Sequence, residues 1–259
     1  MTVDEKKELY ALLRTVASSL YGCSAREYEQ EPVFSADVPD GPAAQPAPEY
    51  SSPSVHDGAP SSLDAVAATI ASCRKCGLCA KRRSTVPGTG CTSPAVLVIG
   101  EGPGADEDAS GLPFVGRAGQ LLDKMLAAIS LSRTANCFIA NIVKCRPPNN
   151  RDPLPDEMYA CRPYLDAQIS LLRPASILAV GRIAAQNLLN TSEGIGRLHG
   201  VFREYNGIPF MATYHPSALL RNAELKRPAW EDLKLFRSRL ETLVPGYAEP
   251  FNRERGQPV

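Results

Sequence analysis

Short apolar runs alternate with longer segments in which apolar residues recur every three or four positions, from about residue 95 to residue 243. The short runs predict strands, and the periodic segments predict helices. The predicted strands are 95–99, 137–143, 176–180 and 208–213, and the predicted helices are 117–129, 156–172, 182–189 and 228–243. This alternation is typical of a parallel sheet with helices on both faces. The sequence therefore predicts an α/β fold, a three-layer α/β/α sandwich with a central, mostly parallel four-stranded sheet.

The chain before this region has a different pattern. Residues 4–21 carry apolar side chains at helical spacing, which predicts an amphipathic helix within an appendage spanning residues 1–22. This helix either docks loosely or binds a protein partner. Residues 23–60 predict a disordered linker, because residues 31–60 contain seven prolines with Ala, Ser and Gly and no apolar period. The domain is predicted to span residues 61–245, starting with a helix capped by Ser61 or Ser62, and residues 246–259 form a C-terminal tail.

Composition narrows the class of protein. The chain has 259 residues, of which 44% are hydrophobic, enough for a sizeable core. No apolar run approaches the length of a membrane span, and the N-terminus lacks the pattern of a signal peptide, so we expect a cytoplasmic protein with no membrane partner. The net charge is zero, but acidic residues concentrate in residues 1–64 and leave the remainder positively charged. Binding to a polyanion would therefore involve the C-terminal part.

The segment 96–120 holds the richest candidate chemistry. An all-apolar strand ends at Gly100 and enters a turn rich in glycine and acidic residues. Ligands of open α/β sheets bind beyond the carboxyl ends of strands. The side chains expected over this crevice are Glu101, Asp106, Glu107, Asp108 and Phe114.

Two other interpretations of this turn remain open. Gly100, Gly102 and Ala105 fit the G-x-G-x-x-G/A pattern of dinucleotide-binding proteins. That pattern also requires an acidic residue at the end of the next strand, where this chain has Asn141. The other interpretation is a structural turn whose acidic residues simply face solvent.

The eight cysteines point to metal chemistry, because disulfides are rare in the cytoplasm. Cys73 and Cys76 form a C-x2-C pair, and Cys145 and Cys161 form a C-x15-C pair. These spacings favour an iron–sulfur cluster over zinc, which usually takes two closely spaced pairs. Cys79 leaves a C-x2-C-x2-C alternative open. The other thiols are predicted to be buried or incidental: Cys23, Cys91 and Cys137.

Four sequence motifs, taken together, are typical of a known protein family. They are GEGPGADED at 100–108, LPFVGRAGQLLDKML at 112–126, ANIVKCRPPNNRDPLPDE at 140–157 and TYHPSALLR at 213–221. Together with the cysteine pairs, they closely resemble family 4 uracil-DNA glycosylases, iron–sulfur enzymes that remove uracil from DNA and are often described as phage-polymerase-related. The resemblance covers about residues 73–243. It implies the uracil-DNA glycosylase fold and a 4Fe-4S cluster bound by Cys73, Cys76, Cys145 and Cys161.

Two departures from the family pattern are visible. Gly102 stands where many members have alanine, which is a small change. Relatives that trap uracil covalently have a basic, histidine-containing loop after the NIVK-like strand, whereas here Lys144 is followed directly by Cys145-Arg-Pro-Pro. This difference favours an enzyme that turns over.

The resemblance also implies roles for individual residues. Glu101 would position or activate water, and His215 would hydrogen-bond the departing uracil. Asn141 would bind the base edge and Phe114 would stack on the base, while Glu107 would exclude the methyl group of thymine. The substrate-binding set is Gly100, Gly102, Gly104, Glu107, Phe114 and Asn141, with Asn141 also counted among the catalytic residues. The predicted DNA contacts are Ser217, Leu219, Leu220 and Arg221, with further phosphate contacts from Arg82, Arg83, Lys144, Arg146 and Arg151.

The sequence therefore predicts a monomeric, nucleoid-associated uracil-DNA glycosylase that acts in base-excision repair on single- or double-stranded DNA. Two alternatives come from other classes. One is a non-catalytic iron–sulfur module that binds nucleic acid and joins a larger complex through its N-terminal helix. The other is an electron-transfer or redox-sensing protein. The remaining histidines, His56 and His199, are predicted to be loop residues.

Overall fold

A computed structural model of the protein describes residues 62–256. The predicted appendage at 1–22 and the predicted linker at 23–60 lie outside these residues, as do residues 257–259. The described residues contain no helix that is both long enough and apolar enough to cross a membrane.

The centre of the fold is a six-stranded sheet. Its strands are β1 (Thr89–Gly90), β2 (Val96–Gly100), β3 (Cys137–Asn141), β4 (Ser176–Val180), β5 (Phe202–Tyr205) and β6 (Ile208–Thr213). They lie in the order β1-β3-β2-β4-β6-β5. The four inner strands are parallel, and they are the four that the sequence predicts. The predicted four-stranded sheet is nevertheless too small, because an antiparallel strand pairs with each edge.

The two edge strands have weak sequence signals. β1 is only two residues long and includes Gly90, which lacks a side chain to pack. β5 joins β6 through Asn206 and Gly207, which both have positive φ, 49° and 79°. An Asn-Gly pair with this geometry is typical of a tight hairpin. The Asn-Gly pair in the sequence therefore indicates that a strand, β5, precedes β6.

Nine helices of the described residues surround the sheet. They are α1 (Leu63–Ala71), α2 (Ala105–Ser110), α3 (Arg117–Ala127), α4 (Pro155–Leu172), α5 (Arg182–Leu189), α6 (Ile195–Leu198), α7 (Pro216–Arg221), α8 (Lys226–Leu243) and α9 (Glu249–Glu254). Short 3-10 turns lie at Gly77–Ala80, Pro148–Asn150 and Ala223–Leu225. The ends of the four predicted helices agree with α3, α4, α5 and α8 to within two residues. Ser62 caps α1 by accepting a hydrogen bond from the backbone amide of Ala65 at 3.2 Å.

Side chains alternate across the sheet and form two cores. Leu97 and Ile99 of β2 pack on the side of α1, α4 and α5. Val96 and Val98 pack on the opposite side, against α3 and α8. Because successive strand residues point to opposite faces, one all-apolar strand serves both layers. This arrangement is the predicted three-layer α/β/α sandwich.

The folded domain continues past its predicted end at residue 245. Tyr247 is buried, and its hydroxyl donates to the carbonyl of Ile129 at 2.8 Å. Asn136 donates to the carbonyl of Tyr247 at 2.8 Å, and Phe251 of α9 is also buried. Residues 246–256 are therefore part of the packed structure, and the predicted tail begins too early. The aromatic residues at 247 and 251 are the sequence feature that marks this extension.

Candidate functional site at the carboxyl ends of the parallel strands

A cleft of about 470 Å³ lies beyond the carboxyl ends of the four parallel strands. Each strand leads into a lining residue: Glu101 follows β2, Asn141 ends β3, Gly181 follows β4, and Tyr214 follows β6. Ligands of parallel sheets bind at this edge because only loops cover it. Most of the predicted catalytic and base-binding residues line the cleft: Glu101, Gly102, Gly104, Glu107, Phe114, Asn141 and His215.

Asn141 is the most unusual polar group of the cleft. Its side chain is 1% exposed, and its Oδ1 atom is buried with no hydrogen-bond partner among residues 62–256. A buried acceptor without a partner is costly, which indicates that a ligand completes it. Gly100 lies against it so closely that a Cβ there would approach Asn141 Oδ1 to 2.5 Å and Phe114 to 2.5 Å. Glycine at position 100 therefore leaves room for both side chains.

Phe114 lies in a strained turn beside Asn141. Its backbone φ is 53°, in the left-handed region that a phenylalanine rarely occupies. Arg133 donates to the carbonyl of Phe114 at 3.0 Å, and a Cβ at Gly119 would lie 1.9 Å from that carbonyl oxygen. The Phe114 ring lies 5.7 Å from the ring of His215. These contacts fix an aromatic face at the wall of the cleft.

Glu107 holds the same turn from the other side. One carboxylate oxygen accepts from the backbone amides of Val115 at 2.9 Å and Gly116 at 3.0 Å. The other accepts from the amide of Gly104 at 3.0 Å. Glu107 therefore clamps the Gly104 turn to the segment that follows Phe114. Glu107 also lines the cleft while it serves this structural role.

Glu101 is partly buried and has a strongly perturbed pKa. Loss of solvent, together with the negative charge of Asp152, raises the pKa of its carboxyl group to about 7, against the opposing effect of Arg182. Asp152 and Arg182 form an ion pair, and both line the cleft. Neither residue was predicted from the sequence, because the two come from separate segments with no shared motif. Glu101 is therefore poised to change its charge near neutral pH.

His215 forms the N-cap of α7 and is oriented by that helix. Its Nδ1 accepts from the backbone amide of Ser217 at 3.1 Å and lies 2.8 Å from the Ser217 hydroxyl. An Nδ1 that accepts a hydrogen bond carries no proton, so the proton of neutral His215 is assigned to Nε2. Burial lowers the pKa of His215 to about 4; Arg221 lowers it too, and Glu107 opposes this. His215 is therefore a neutral donor at physiological pH, and Ser217 positions it.

The predicted DNA contacts on α7 differ in how far they are exposed. Arg221 and Ser217 line the cleft, and the side chain of Leu220 is 46% exposed. Leu219 is only 3% exposed and packs in the core with helix α8. The prediction that Leu219 contacts DNA is therefore wrong, because neighbouring residues of a helix point in different directions. Leu220 is the apolar side chain of this pair that faces solvent.

Three predictions about charged residues also fail. Lys144, predicted to contact phosphate, is 1% exposed. Asp108, predicted to lie over the crevice, is buried and accepts from the backbone amides of Arg83 at 2.9 Å and Ser84 at 3.2 Å. Asp106 also lies outside the residues that line the cleft. Charged residues are usually exposed, and sequence alone does not reveal the exceptions.

His199 is more than a loop residue. Its Nδ1 lies 2.9 Å from Asp232 Oδ1, and Asp232 also accepts from the hydroxyl of Thr213 at 2.7 Å. Its ring lies 4.5 Å from the ring of Tyr214, which lines the cleft. Asp232 is 4% exposed, so this network supports the β6 end from inside the domain.

A second, smaller cavity gathers the predicted metal ligands. Its lining includes the cysteines Cys73, Cys76, Cys79, Cys145 and Cys161. Two donors point at their sulfurs: the backbone amide of Lys144 lies 3.3 Å from Cys161 Sγ, and Arg82 Nη1 lies 3.2 Å from Cys145 Sγ. Such hydrogen bonds are typical around cluster sulfurs. Among residues 62–256, no three Cys, His, Asp or Glu side chains converge closely enough to hold a single metal ion.

Comparisons with known proteins agree with the geometry. The family model described as Uracil DNA glycosylase superfamily matches residues 87–234. A type-4 uracil-DNA glycosylase of Archaeoglobus fulgidus is 42% identical over 181 residues, covering 67% of this chain and 90% of that protein. Type-4 uracil-DNA glycosylases of Saccharolobus solfataricus and Thermotoga maritima are 40% and 38% identical, covering 70% and 68% of this chain and 87% and 93% of those proteins. The chain belongs to the uracil-DNA glycosylase superfamily, within the type-4 uracil-DNA glycosylases.

Proposed function

We propose that the protein is a uracil-DNA glycosylase, which hydrolyses the N-glycosidic bond of a uracil flipped out of DNA and leaves an abasic site for base-excision repair. The observation that carries the proposal is the unpartnered Oδ1 of Asn141 beside the Phe114 ring, in one cleft with Glu101 and neutral His215. Its relatives of the type-4 class carry that activity in their names.

The cleft supplies what recognition of a flipped uracil needs. An enzyme that acts on a base takes it out of the stack, holds it against an aromatic ring, and recognises its Watson–Crick edge. Asn141 Oδ1 accepts from the ring N–H of uracil, and its amide donates to the adjacent carbonyl. Cytosine has the opposite pattern of donor and acceptor, so the amide rejects it. Phe114 stacks on the base. Of the turn that follows β2, the backbone amides of Glu101 and Gly102 are the candidates for the second carbonyl, because Pro103 has no N–H and the Gly104 amide donates to Glu107.

The bond-breaking step uses Glu101 and His215. Cleavage leaves positive charge on the sugar and negative charge on the departing uracil. Ionised Glu101 stabilises the cationic sugar and positions the attacking water. His215 donates from Nε2 to the uracil oxygen as its negative charge grows, and a donor of this kind is typically worth about 3 kcal/mol in the transition state.

DNA binding uses the exposed part of α7. Leu220 is 46% exposed and is the apolar side chain that fills the space of the flipped nucleotide. Arg221 lines the cleft beside it and contacts phosphate. The proposal includes action as a monomer on nucleoid DNA in the cytoplasm, with either single- or double-stranded DNA as substrate.

We also propose that Cys73, Cys76, Cys145 and Cys161 hold a 4Fe-4S cluster. The support is the set of soft sulfur ligands that line one cavity, with hydrogen-bond donors directed at two of the sulfurs. The four cysteines come from the segment before β1, from the loop after β3 and from α4, so a bound cluster would link these segments, which is a structural role.

Changing any one of these four cysteines to Ser is expected to lower the iron content from about four per chain and to lower the melting temperature. The control is Cys79→Ser, which lines the same cavity. It should keep its iron and its visible colour. Iron and zinc analysis of the purified proteins measures the metal content, and visible absorption spectra measure the colour. If Cys79→Ser lost iron while Cys145→Ser kept it, the assignment of ligands would be wrong.

Asn141→Asp is expected to weaken uracil release, because a carboxylate accepts hydrogen bonds but cannot donate to the uracil carbonyl. The same change should improve tolerance for cytosine, whose exocyclic amine then finds an acceptor. Rates on matched oligonucleotides that contain uracil or cytosine at one position measure the ratio. An unchanged preference for uracil would place base recognition on another residue.

The proposed function is tested by incubating purified protein with a labelled oligonucleotide that contains one uracil, beside matched strands with thymine or cytosine. We expect free uracil and an abasic site from the first strand only. Binding to all strands without base release would favour the non-catalytic iron–sulfur module. Reversible reduction of the protein with no binding to DNA would favour the electron-transfer alternative.

A further inference from the structure

Lys144 is a buried cation between the cleft and the cysteine cavity. Its side chain is 1% exposed. Its Nζ donates to the backbone carbonyl of Asn141 at 2.9 Å and to Gln168 Oε1 at 2.6 Å. Gln168 is held in turn, since its Nε2 donates to the carbonyl of Pro87 at 2.7 Å. Both acceptors of the lysine are uncharged.

The burial of the Lys144 ammonium group requires a physical explanation. Placing an ammonium group inside a protein is costly unless a counter-charge compensates it, and neutral acceptors compensate it only in part. An apolar side chain of similar length would fill the same space without this cost. The two donated hydrogen bonds are the specific contacts that the lysine makes at this position.

The backbone around Lys144 connects the two sites. On one side, the amides of Ile142 and Val143 donate to the carbonyls of Gly100 at 2.9 Å and Glu101 at 3.1 Å. On the other, the amide of Lys144 itself lies 3.3 Å from Cys161 Sγ, and Cys145 is the next residue. The segment 141–145 therefore spans the distance from the base-binding amide to two proposed cluster ligands.

The side chain of Asn141 depends on this backbone. Its Oδ1 has no partner among residues 62–256, so no protein hydrogen bond at that atom holds the amide before uracil binds. The direction of the amide then depends on how firmly the Asn141 peptide is held. The carbonyl of that peptide is the acceptor of Lys144 Nζ.

We propose that Lys144 is a positioning residue for base recognition, whose ammonium group fixes the Asn141 peptide and ties its orientation to the loop that carries Cys145. The inference rests on the proposed uracil-DNA glycosylase function. It assigns to Lys144 no contact with DNA or with the reacting atoms.

Lys144→Met is the direct test, because methionine has a similar length, suits a buried site and donates no hydrogen bond. We expect iron content and melting temperature close to those of the wild type. The kcat/KM for uracil release should fall about 10- to 100-fold, by analogy with the loss seen when residues that orient metal ligands are removed. Inhibition by free uracil should weaken in parallel, because the bound base meets a less ordered amide. A merely structural lysine would not change that inhibition constant at constant iron content.

The matched control is Lys75→Met. Lys75 also lines the cysteine cavity, but its ammonium lies over the Tyr164 ring, 5.1 Å from the ring centroid. It should keep wild-type kcat/KM and uracil inhibition. If Lys144→Met does not fold, Lys144→Gln is measured in the same way, since its shorter amide keeps a polar group but not the reach of the lysine.

Three results would overturn the proposal: wild-type uracil inhibition in the folded variant, equal losses in Lys75→Met, or loss of iron in proportion to activity. The last result would make Lys144 a support of the cysteine loop alone. The test of the proposed function is separate from this test, because it depends on whether the wild-type protein releases uracil.

Discussion

Glu101→Gln is expected to lower the single-turnover rate of uracil release by about 10²–10³-fold at a pH of about 8. The glutamine has nearly the same shape but no negative charge, so it neither stabilises the cationic sugar nor activates water. Affinity for uracil-containing DNA should stay within a few-fold, since the lost interaction develops only in the transition state. Rates under enzyme excess, with affinity measured separately, distinguish the two effects.

The pH dependence of the wild-type enzyme follows from the same residue. The active form of Glu101 is ionised, and its pKa is raised to about 7, so the rate should rise with pH through about 7 and then level. His215 has its pKa lowered to about 4 and stays neutral over this range, so it adds no second step. Asp152→Asn should move the midpoint to lower pH, and Arg182→Gln should move it to higher pH. A wild-type rate that does not change from pH about 5 to about 9 would contradict this role of Glu101.

His215→Ala is expected to have an effect of similar size, about 10²–10³-fold on the single-turnover rate, with binding again within a few-fold. The change removes the Nε2–H donor that stabilises the departing base. It also removes the cap of α7, since His215 Nδ1 accepts from the Ser217 amide. His215→Asn is the control for this second effect, because asparagine is a good N-cap but is too short to replace the imidazole. Both variants should be slow.

Arg221→Ala is expected to weaken binding more than the chemical step, which is the opposite of the pattern expected for Glu101→Gln and His215→Ala. Removing a phosphate contact should weaken binding and reduce its dependence on salt, with a smaller effect on the chemical step. If His215→Ala and His215→Asn lost affinity but kept the saturated rate, His215 would be a DNA-docking residue, and the proposed role in bond cleavage would be wrong.

The inner sheet and the main helices could be predicted because their patterns are local. Ser176–Val180 and Ile208–Thr213 are apolar runs bounded by polar or turn residues, and both strands have the predicted ends. α2 was missed because the acidic run 105–110 has no apolar face. It forms because Glu107 accepts the Gly104 amide and because acidic side chains are favourable near a helix N-terminus.

The residues that form the cleft could be predicted to a similar extent. Glu101 and Asn141 lie at the ends of buried strands, where parallel sheets bind ligands, and the family resemblance supplied their roles. The burial of Lys144 and Leu219 was not predictable, because a charged residue and an apolar residue in a recognised motif were assigned by their type. Their surroundings come from α4 and α8, which are distant in the sequence.

The perturbed pKa of Glu101 was beyond sequence analysis for the same reason. It depends on burial and on the positions of Asp152 and Arg182, which the loop after β3 and the start of α5 bring to the cleft. No spacing in the chain encodes that arrangement.

We propose that uracil is released in the cleft at the carboxyl ends of β2, β3, β4 and β6. The most direct measurement is single-turnover uracil release by the Glu101→Gln/His215→Ala double variant, beside the wild type, on an oligonucleotide with one uracil. We expect the double variant to bind this strand with near wild-type affinity and to release uracil more slowly than either single variant or not at all. Release by the double variant at the wild-type rate would show that the chemistry occurs elsewhere in the protein.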